Sequence, residues 1–419
     1  MKDNVHRLKT AVKNNRTIIG NFSYLSALQI FNLLIPIATY PYLIRVLGKE
    51  PYGIIVFAQA IIGYLVILVA FGFNTSATKD VSIHRNNIQK LSEIVSSVLI
   101  IKGILLIVSF ILLTIALFFI PQAHGYFTLF FLTMWLAMYD FIFPVWYFQG
   151  IEKMKYITYL TLISKLTFLG LIFIFIKSPQ HYLRVPLINA IGSILAGLSS
   201  LNIIFIQHKI PFSFQKLNVL KKYFKDSLPL FVSSVSVTVF VQANKIIIGA
   251  WIGMGEVAAY DLAEKIVQLL KSPQMLITQA IFPKTSKDKN PVFIKKMMLI
   301  SFGIALLLFV LTQIFASTIV NILGGKEMIL AVGLLRFLSI AIIFVYISQY
   351  TSVHTLLANG YNKTWMQLIL FSGFIYLTSV IILGFSGKIT ALHLVFCSLL
   401  SEFYVLGSSY YYSKKYKLL

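Results

Sequence analysis

The sequence predicts an all-α membrane protein with twelve transmembrane helices in two six-helix bundles. The first observation is composition: of 419 residues, 58% are hydrophobic, only 12% are charged, and the mean hydropathy is +0.84. The second is that apolar runs of about 20 residues, the length that spans a bilayer, recur along the whole chain. The third is a long basic connection at residues 208–226, which divides the runs into two sets of six.

The predicted spans follow one another closely, with short connections between most of them. They cover residues 18–44, 53–74, 94–120, 126–148, 156–176, 183–206, 228–252, 257–281, 297–320, 329–357, 365–385 and 389–411. We therefore expect an N-terminal bundle at 1–207, a cytoplasmic linker at 208–226 and a C-terminal bundle at 227–419. An even number of spans in each half gives both halves one orientation, as in a parallel repeat about an axis along the membrane normal.

The first hairpin, from Asn21 to Gln59, contains two prolines inside its first span. A proline removes a helical hydrogen bond and clashes with the preceding turn, so we expect Pro36 and Pro41 to interrupt and bend this helix. Within a bilayer such a bend is tolerated beside protein or a water-filled cavity. The pattern predicts that this span is the wall of a cavity and its hinge.

The basic residues set the topology. Of 36 Lys and Arg residues, 24 lie in the segments on the side of the N-terminus, and six lie in the segments on the opposite side. Because cytoplasmic segments carry the excess of Lys and Arg, both termini are predicted to be cytoplasmic. The net charge of +23 is thereby explained as a topology signal, and nucleic acid is excluded as a partner.

Six basic residues remain inside the predicted spans: Lys102, Lys165, Lys245, Lys265, Lys271 and Arg336. Each would cost about 2.5–3.5 kcal/mol at the bilayer centre, so that six could cost about 15–20 kcal/mol. That exceeds the stability of a typical domain, about 5–15 kcal/mol. These cations must therefore face counter-ions or a wet cavity.

Helical rise sorts the charged residues into two layers. Lys102, Asp140 and Lys165 lie at one depth and can meet, either as a structural ion pair or as a site for a coupling ion. The same two alternatives, a structural ion pair or a site for a coupling ion, apply to Asp261 and Glu402. Glu402 lies near mid-span. In neither layer do the carboxylates balance the positive charges, so the sequence predicts that an anion binds.

The second layer contains Lys245, Glu264, Lys265 and Arg336, with Asp261 one turn away, and it forms the candidate substrate site together with its neighbours. Span eight carries a stripe of polar residues at helical spacing, and the first span carries a milder one. Arg45, at the outer end of the first span, is either part of this site or a membrane anchor. The candidates are Lys245, Lys265, Lys271, Arg336, Glu264, Gln268, Asn32 and Arg45.

The sequence lacks the motifs that are typical of metal sites and enzymes. The seven histidines do not have metal-ligand spacing, and neither a nucleotide-binding loop nor a catalytic triad pattern occurs. We therefore expect no enzyme activity, no metal and no cofactor, and the mid-span carboxylates are candidates for binding Na⁺ or H⁺ from an ion gradient. Four aromatic residues around Asp140 are predicted to pack rather than to stack on sugars: Trp135, Tyr139, Trp146 and Tyr147.

Three stretches resemble the polysaccharide-synthesis flippases that export O-antigen or capsule repeat units. The first combines N-F-S-Y-L from Asn21 with P-Y-L-I-R-V-L-G-K-E-P-Y-G-I-I-V-F-A-Q from Pro41. The second is P-V-W-Y-F-Q-G-I-E-K-M-K-Y from Pro144, and the third is A-Y-D-L-A-E-K-I-V-Q from Ala259. Related sequences often have a neutral or acidic residue where Lys245 stands.

The resemblance implies the multidrug/oligosaccharidyl-lipid/polysaccharide exporter fold, with two bundles in a V, in a bacterial inner membrane. It implies an undecaprenyl-pyrophosphate oligosaccharide as substrate, membrane lipid around it, and a polysaccharide polymerase and chain-length proteins as partners of a monomer. Two alternatives remain. A multidrug exporter should have an acidic cavity for cations, and a membrane-embedded glycan polymerase would need long outward loops.

Overall fold

The structure, a computed structural model, describes the backbone of residues 2–387 and 389–419. It also describes their side chains except at 2–19, 22 and 236–241. Lys388, one of the outward-side basic residues counted above, lies outside the described part. The α-helices of that part are α1 Lys2–Leu47, α2 Lys49–Ala70, α3 Phe73–Ile83, α4 Ile88–Phe119, α5 Phe127–Thr133, α6 Trp135–Ile142, α7 Val145–Gly150, α8 Met154–Phe175, α9 Arg184–Asn202, α10 Leu217–Trp251, α11 Met254–Asp288, α12 Pro291–Gly324, α13 Leu330–Leu338, α14 Ile340–Ser348, α15 Asn362–Phe385 and α16 Ala391–Lys415.

The chain forms two compact units. The first contains Met1–Leu47 and Ala58–Val235, and the second contains Gly48–Phe57 and Ser236–Leu419. The first ten residues after α1 thus pack with the C-terminal half of the chain, and the connection after α9 packs with the first unit. Each unit is a set of helices around its own apolar core.

The prediction of an all-α membrane protein is confirmed. Within the described residues, ten helical segments are long and apolar enough to cross a membrane. Helices α10 and α11, which correspond to the predicted seventh and eighth spans, have 35 residues each, about 52 Å of helix. Helix α10 contains five charged residues and α11 contains eight, and the count of twelve spans stays a prediction.

Helix α1 continues through both prolines, whereas the sequence predicted an interruption. It runs from Lys2 to Leu47 with Pro36 and Pro41 inside it. A helix in a bilayer has no water to satisfy the backbone groups of a broken turn, which favours continuing the helix past a proline. Thr39 Oγ1 also donates to the Pro36 carbonyl at 3.5 Å, within the same stretch.

The predicted fourth span is broken into the three short helices α5, α6 and α7. Pro144 lies between α6 and α7, and the backbone is non-helical at Phe143 and Pro144, with ψ angles of 85° and 74°; the residue before a proline is biased away from the helical conformation. The aromatic residues that follow it are core residues: Trp146 is 0% exposed and Tyr147 2% exposed. Packing, rather than sugar stacking, is therefore the role of these two side chains.

Helices α1 and α8 run parallel in a constant register. Thr158 Oγ1 donates to the Tyr24 carbonyl at 3.0 Å, and Tyr42 Oη donates to the Ile176 carbonyl at 2.6 Å. The two residues of each pair are 134 positions apart in sequence. The two contacts are separated by about 27 Å of helix, so the register holds across most of a span.

His208, which follows α9, makes side-chain contacts with two residues of the first unit. Tyr147 Oη lies 2.9 Å from His208 Nδ1, and Lys153 Nζ lies 3.3 Å from His208 Nε2. Since a lysine can only donate, Nε2 accepts and Nδ1 carries the imidazole hydrogen. Burial, together with the positive charge of Lys153, lowers the pKa of His208. The neutral imidazole is the form that this packing favours.

Candidate functional site

A group of charged side chains lies inside the second unit, and we name it the lysine–carboxylate cluster. It consists of Tyr52, Lys245, Asp261, Glu264 and Lys265. The Lys245 ammonium lies 3.0 Å from Asp261 Oδ1 and 2.7 Å from Glu264 Oε2. The Lys265 ammonium lies 2.6 Å from Asp261 Oδ2. The sequence placed these four charged residues at similar depths, and the structure brings them together.

Asp261 is the centre of the lysine–carboxylate cluster. Its side chain is 1% exposed, and it accepts from two ammonium groups and from Tyr52 Oη at 2.8 Å. The same phenol oxygen accepts from Lys265 Nζ at 3.1 Å. Sequence reasoning missed Tyr52, since a tyrosine at the start of a span is typical of membrane interfaces. Nothing local in the sequence indicates that its hydroxyl reaches a carboxylate 209 positions away.

Two glycines allow the close helix packing that positions the cluster. A Cβ at residue 53 would lie 1.8 Å from the Met254 carbonyl oxygen, so only glycine allows α2 to approach the start of α11. A Cβ at residue 249 would lie 2.3 Å from a ring carbon of Phe57. Tyr52 is next to Gly53 in sequence, so the close contact between Gly53 and Met254 holds the Tyr52 ring against α11.

The lysine–carboxylate cluster is electrically neutral, with two ammonium groups and two carboxylates. The sequence predicted an uncompensated positive layer that included Arg336, but the structure places Arg336 on α13 with an exposed side chain. Within the described part of the chain, Arg336 has no ion pair; its carbonyl accepts from Gln313 and Ser339. The difference arises because depth along a helix does not fix the direction in which a side chain points.

A cavity of about 220 Å³ adjoins the lysine–carboxylate cluster within the second unit. Among the residues that line it are four that the sequence singled out, namely Glu264, Gln268, Lys271 and Glu402. Lys271 Nζ and Glu402 Oε1 are 3.8 Å apart, a loose ion pair. A second cavity, of about 410 Å³, is also lined by Lys271 and Glu402.

Asn244 connects four helices at the wall of the smaller cavity. Its Nδ2 donates to Tyr260 Oη and to Ser398 Oγ, both at 2.8 Å, and its Oδ1 accepts from Tyr376 Oη at 2.6 Å. These bonds join α10, α11, α15 and α16. The sequence analysis did not identify Asn244, because an amide inside an apolar helix is common in helix–helix contacts.

Among the described residues of the first unit, one ion pair joins two of the predicted spans. Lys102 Nζ lies 2.7 Å from Asp140 Oδ2 and donates to the Asp140 carbonyl at 2.6 Å, and the lysine side chain is 1% exposed. Lys165, predicted at the same depth, is outside this pair. The sequence predicted that Asp140 could meet both lysines, and in the structure its carboxylate is paired with Lys102 rather than with Lys165.

The remaining predicted residues of the first unit lie on α1. Asn32 and Arg45 have exposed side chains, and Pro36 and Pro41 lie in the same half of the helix. For metals, the described residues contain no group of three or more His, Cys, Asp or Glu side chains that could hold an ion.

Comparison with solved structures defines the class of protein. The chain resembles the lipid II flippase MurJ with a TM-score of 0.75, covering 93% of this chain and 87% of that one at 14% identity. It resembles a multidrug resistance MATE family transporter of the MOP superfamily with a TM-score of 0.71, covering 91% and 94% at 14% identity. The chain therefore has the fold that these two structures share.

The sequence comparison identifies the family within that class. Residues 18–289 match the family described as polysaccharide biosynthesis protein, and the chain belongs to this family. It is 28% identical over 372 residues to a protein of Escherichia coli (strain K12) named "Putative O-antigen transporter", covering 87% of this chain and 89% of that protein. A Shigella dysenteriae protein of the same name is 26% identical over 361 residues, covering 83% and 88%. The resemblance found in the three motifs is confirmed.

Proposed function

We propose that this protein is a flippase for lipid-linked oligosaccharides. In this proposal it moves repeat units linked to undecaprenyl pyrophosphate from the inner to the outer leaflet of the bacterial cytoplasmic membrane, for O-antigen or capsule export. The observation that carries the proposal is membership in the polysaccharide biosynthesis family in a chain whose fold resembles a lipid II flippase. Relatives named as O-antigen transporters support the substrate class.

The proposed mechanism is alternating access by two six-helix bundles, with both termini cytoplasmic and the bundle boundaries predicted from the sequence. The polyprenyl tail stays in lipid while the charged head crosses through water. Pro36 and Pro41 form the proposed hinge, because a proline removes a backbone bond and lowers the cost of bending. An ion gradient is the proposed driving force, and the polymerase and chain-length proteins are the proposed downstream partners.

In this proposal, basic residues in the spans bind the pyrophosphate. An ammonium acts as a point charge, and a guanidinium offers a planar fork that matches phosphate oxygens. Arg336 is the strongest candidate of the second unit, because it is exposed and is not neutralised by a carboxylate of the described chain. Lys265 is the second candidate. To bind the pyrophosphate, its ammonium would have to leave the Asp261 carboxylate.

The MATE-like fold leaves a multidrug exporter as the competing function. A site for organic cations needs an excess of carboxylates, whereas the predicted spans, apart from Arg184 at the start of the sixth, contain six Lys or Arg residues against four Asp or Glu residues. The basic balance favours an anionic substrate.

The proposed function is tested by deleting the gene and identifying the lipid that accumulates. We expect an undecaprenyl-pyrophosphate oligosaccharide to accumulate in the inner leaflet and surface polysaccharide to be lost, and wild-type protein should restore both. Unchanged lipid-linked glycan with increased sensitivity to cationic drugs would instead identify an exporter.

A variant tests the proposed pyrophosphate contact. Arg336→Ala should abolish translocation while the protein stays at its normal level in the membrane, because the pyrophosphate loses its counter-charge. Complementation of the deletion, with an immunoblot of membranes, measures both. Normal surface polysaccharide in this variant would contradict the assignment of Arg336.

A further inference from the structure

The structure divides the six basic residues of the predicted spans into two groups. Lys102, Lys245, Lys265 and Lys271 each have a carboxylate within 4.0 Å. Lys165 and Arg336 have none among the described residues. A cation inside a bilayer without a counter-ion is costly, and such residues mark pathways for substrates or ions. Arg336 already has a proposed role, whereas the purpose of the Lys165 charge is unexplained.

Lys165 lies in the middle of α8 and is half-buried. Its side-chain ammonium has no hydrogen-bond or ion-pair partner in the part of the chain that the structure describes. The most exposed positions of this helix form a stripe that includes Tyr159, Ile163 and Leu166. At about 100° per residue, Lys165 lies about 130° round the helix from the centre of that stripe. The ammonium is therefore directed away from the most exposed face of α8.

The register between α1 and α8 shows what lies beside Lys165. The separation of 134 positions found at both ends of the helix pair places Lys165 level with position 31, next to Asn32. Leu28, Asn32, Ile35 and Thr39 form one stripe of α1 at spacings of four, three and four. Leu28, Ile35 and Thr39 are buried, and Asn32 alone of these four is exposed. The stripe is therefore exposed at Asn32, beside the position that is level with Lys165.

We propose that Lys165 binds a phosphate oxygen of the lipid-linked pyrophosphate and that the Asn32 amide donates to the same group. The inference rests on the proposed function and adds an anion site in the first unit. An ammonium supplies three donors and a full charge, and an amide supplies two further donors. A diphosphate accepts at several oxygens and neutralises the charge that the chain itself leaves unpaired.

The test uses the purified full-length protein in detergent, with thermal unfolding followed by circular dichroism. The probes are geranylgeranyl pyrophosphate, geranylgeraniol and inorganic pyrophosphate. We expect the prenyl pyrophosphate to raise the melting temperature of the wild-type protein and geranylgeraniol to leave it unchanged. A shift with inorganic pyrophosphate that depends on Lys165 would assign the site to the headgroup alone and would also support the proposal.

Three variants of α8 give the comparison. Lys165→Met should require about tenfold to hundredfold more prenyl pyrophosphate for the same shift, the loss expected for a charge-assisted bond, and Lys165→Arg should keep most of it. Lys155→Met removes the same charge from an exposed position of the helix and should respond like wild type. Without ligand, Lys165→Met should melt no lower than wild type, since it removes an unpaired cation.

Two results would overturn the inference in different ways. A wild-type response that Lys165→Met retains at the same probe concentration removes the role of Lys165 and leaves the proposed function intact. A wild-type protein that does not respond to prenyl pyrophosphate contradicts both the anion site and the proposed substrate.

Discussion

Replacing Asp261 tests whether the lysine–carboxylate cluster holds the second unit together. Asp261→Asn keeps the size of the side chain but removes a charge that two ammonium groups and one phenol contact. Lys245 keeps Glu264 as a partner, while Lys265 loses its carboxylate. Breaking a buried pair from one side costs about 3–5 kcal/mol, because a charge is left uncompensated.

We expect the lower end of that range, about 3 kcal/mol, since the asparagine carbonyl can still accept one bond. The free energy of unfolding is measured in mixed micelles by titration with a denaturing detergent. Asp261→Asn combined with Lys265→Met should recover at least about 1 kcal/mol, because the double variant also removes the ammonium that contacted the Asp261 carboxylate. Tyr52→Phe, which removes only the hydroxyl, should cost about 1–2 kcal/mol.

The outcome that would refute this reasoning is a single variant, Asp261→Asn, within about 0.5 kcal/mol of wild type. Additive costs in the double variant would also refute it, because additivity means that Asp261 and Lys265 do not interact.

Three further predictions concern the backbone and His208. Gly53→Ala should prevent the close approach of α2 and α11 and lower the melting temperature by several degrees; Gly303→Ala, where a Cβ meets nothing within 4 Å, should not, and equal melting would contradict this packing. Burial and the Lys153 charge lower the pKa of His208, so the stability it supports is present above about pH 6.5 and lost as the pH falls. Melting from pH 8 to 5 should therefore decline more in wild type than in His208→Gln, and parallel curves would show that this histidine is not linked to folding. Pro36→Ala should slow flipping in vesicles more than it weakens substrate binding, and an unchanged flipping rate would exclude a hinge at this proline.

The positions of the helix breaks show one limit of sequence reasoning. The predicted spans were found because an apolar run of about 20 residues has few alternatives to crossing a bilayer. The same run at residues 126–148 gave no sign of three short helices, and the prolines of α1 gave a false sign of interruption. Whether a proline ends a helix depends on which neighbours satisfy the freed carbonyls, and those neighbours come from distant parts of the chain.

The sequence by itself determined the class of protein, the family and the position of each charged residue along its helix, because hydrophobicity, motif spacing and helical rise are local properties. Only the tertiary structure decided which charges are paired. Among the described residues, it pairs Asp140 with Lys102 and leaves Lys165 without a carboxylate within 4.0 Å, and it brings Tyr52 to Asp261. The physical reason is that partners depend on how each helix is rotated and which helices lie beside it, and these are set by packing across the whole chain.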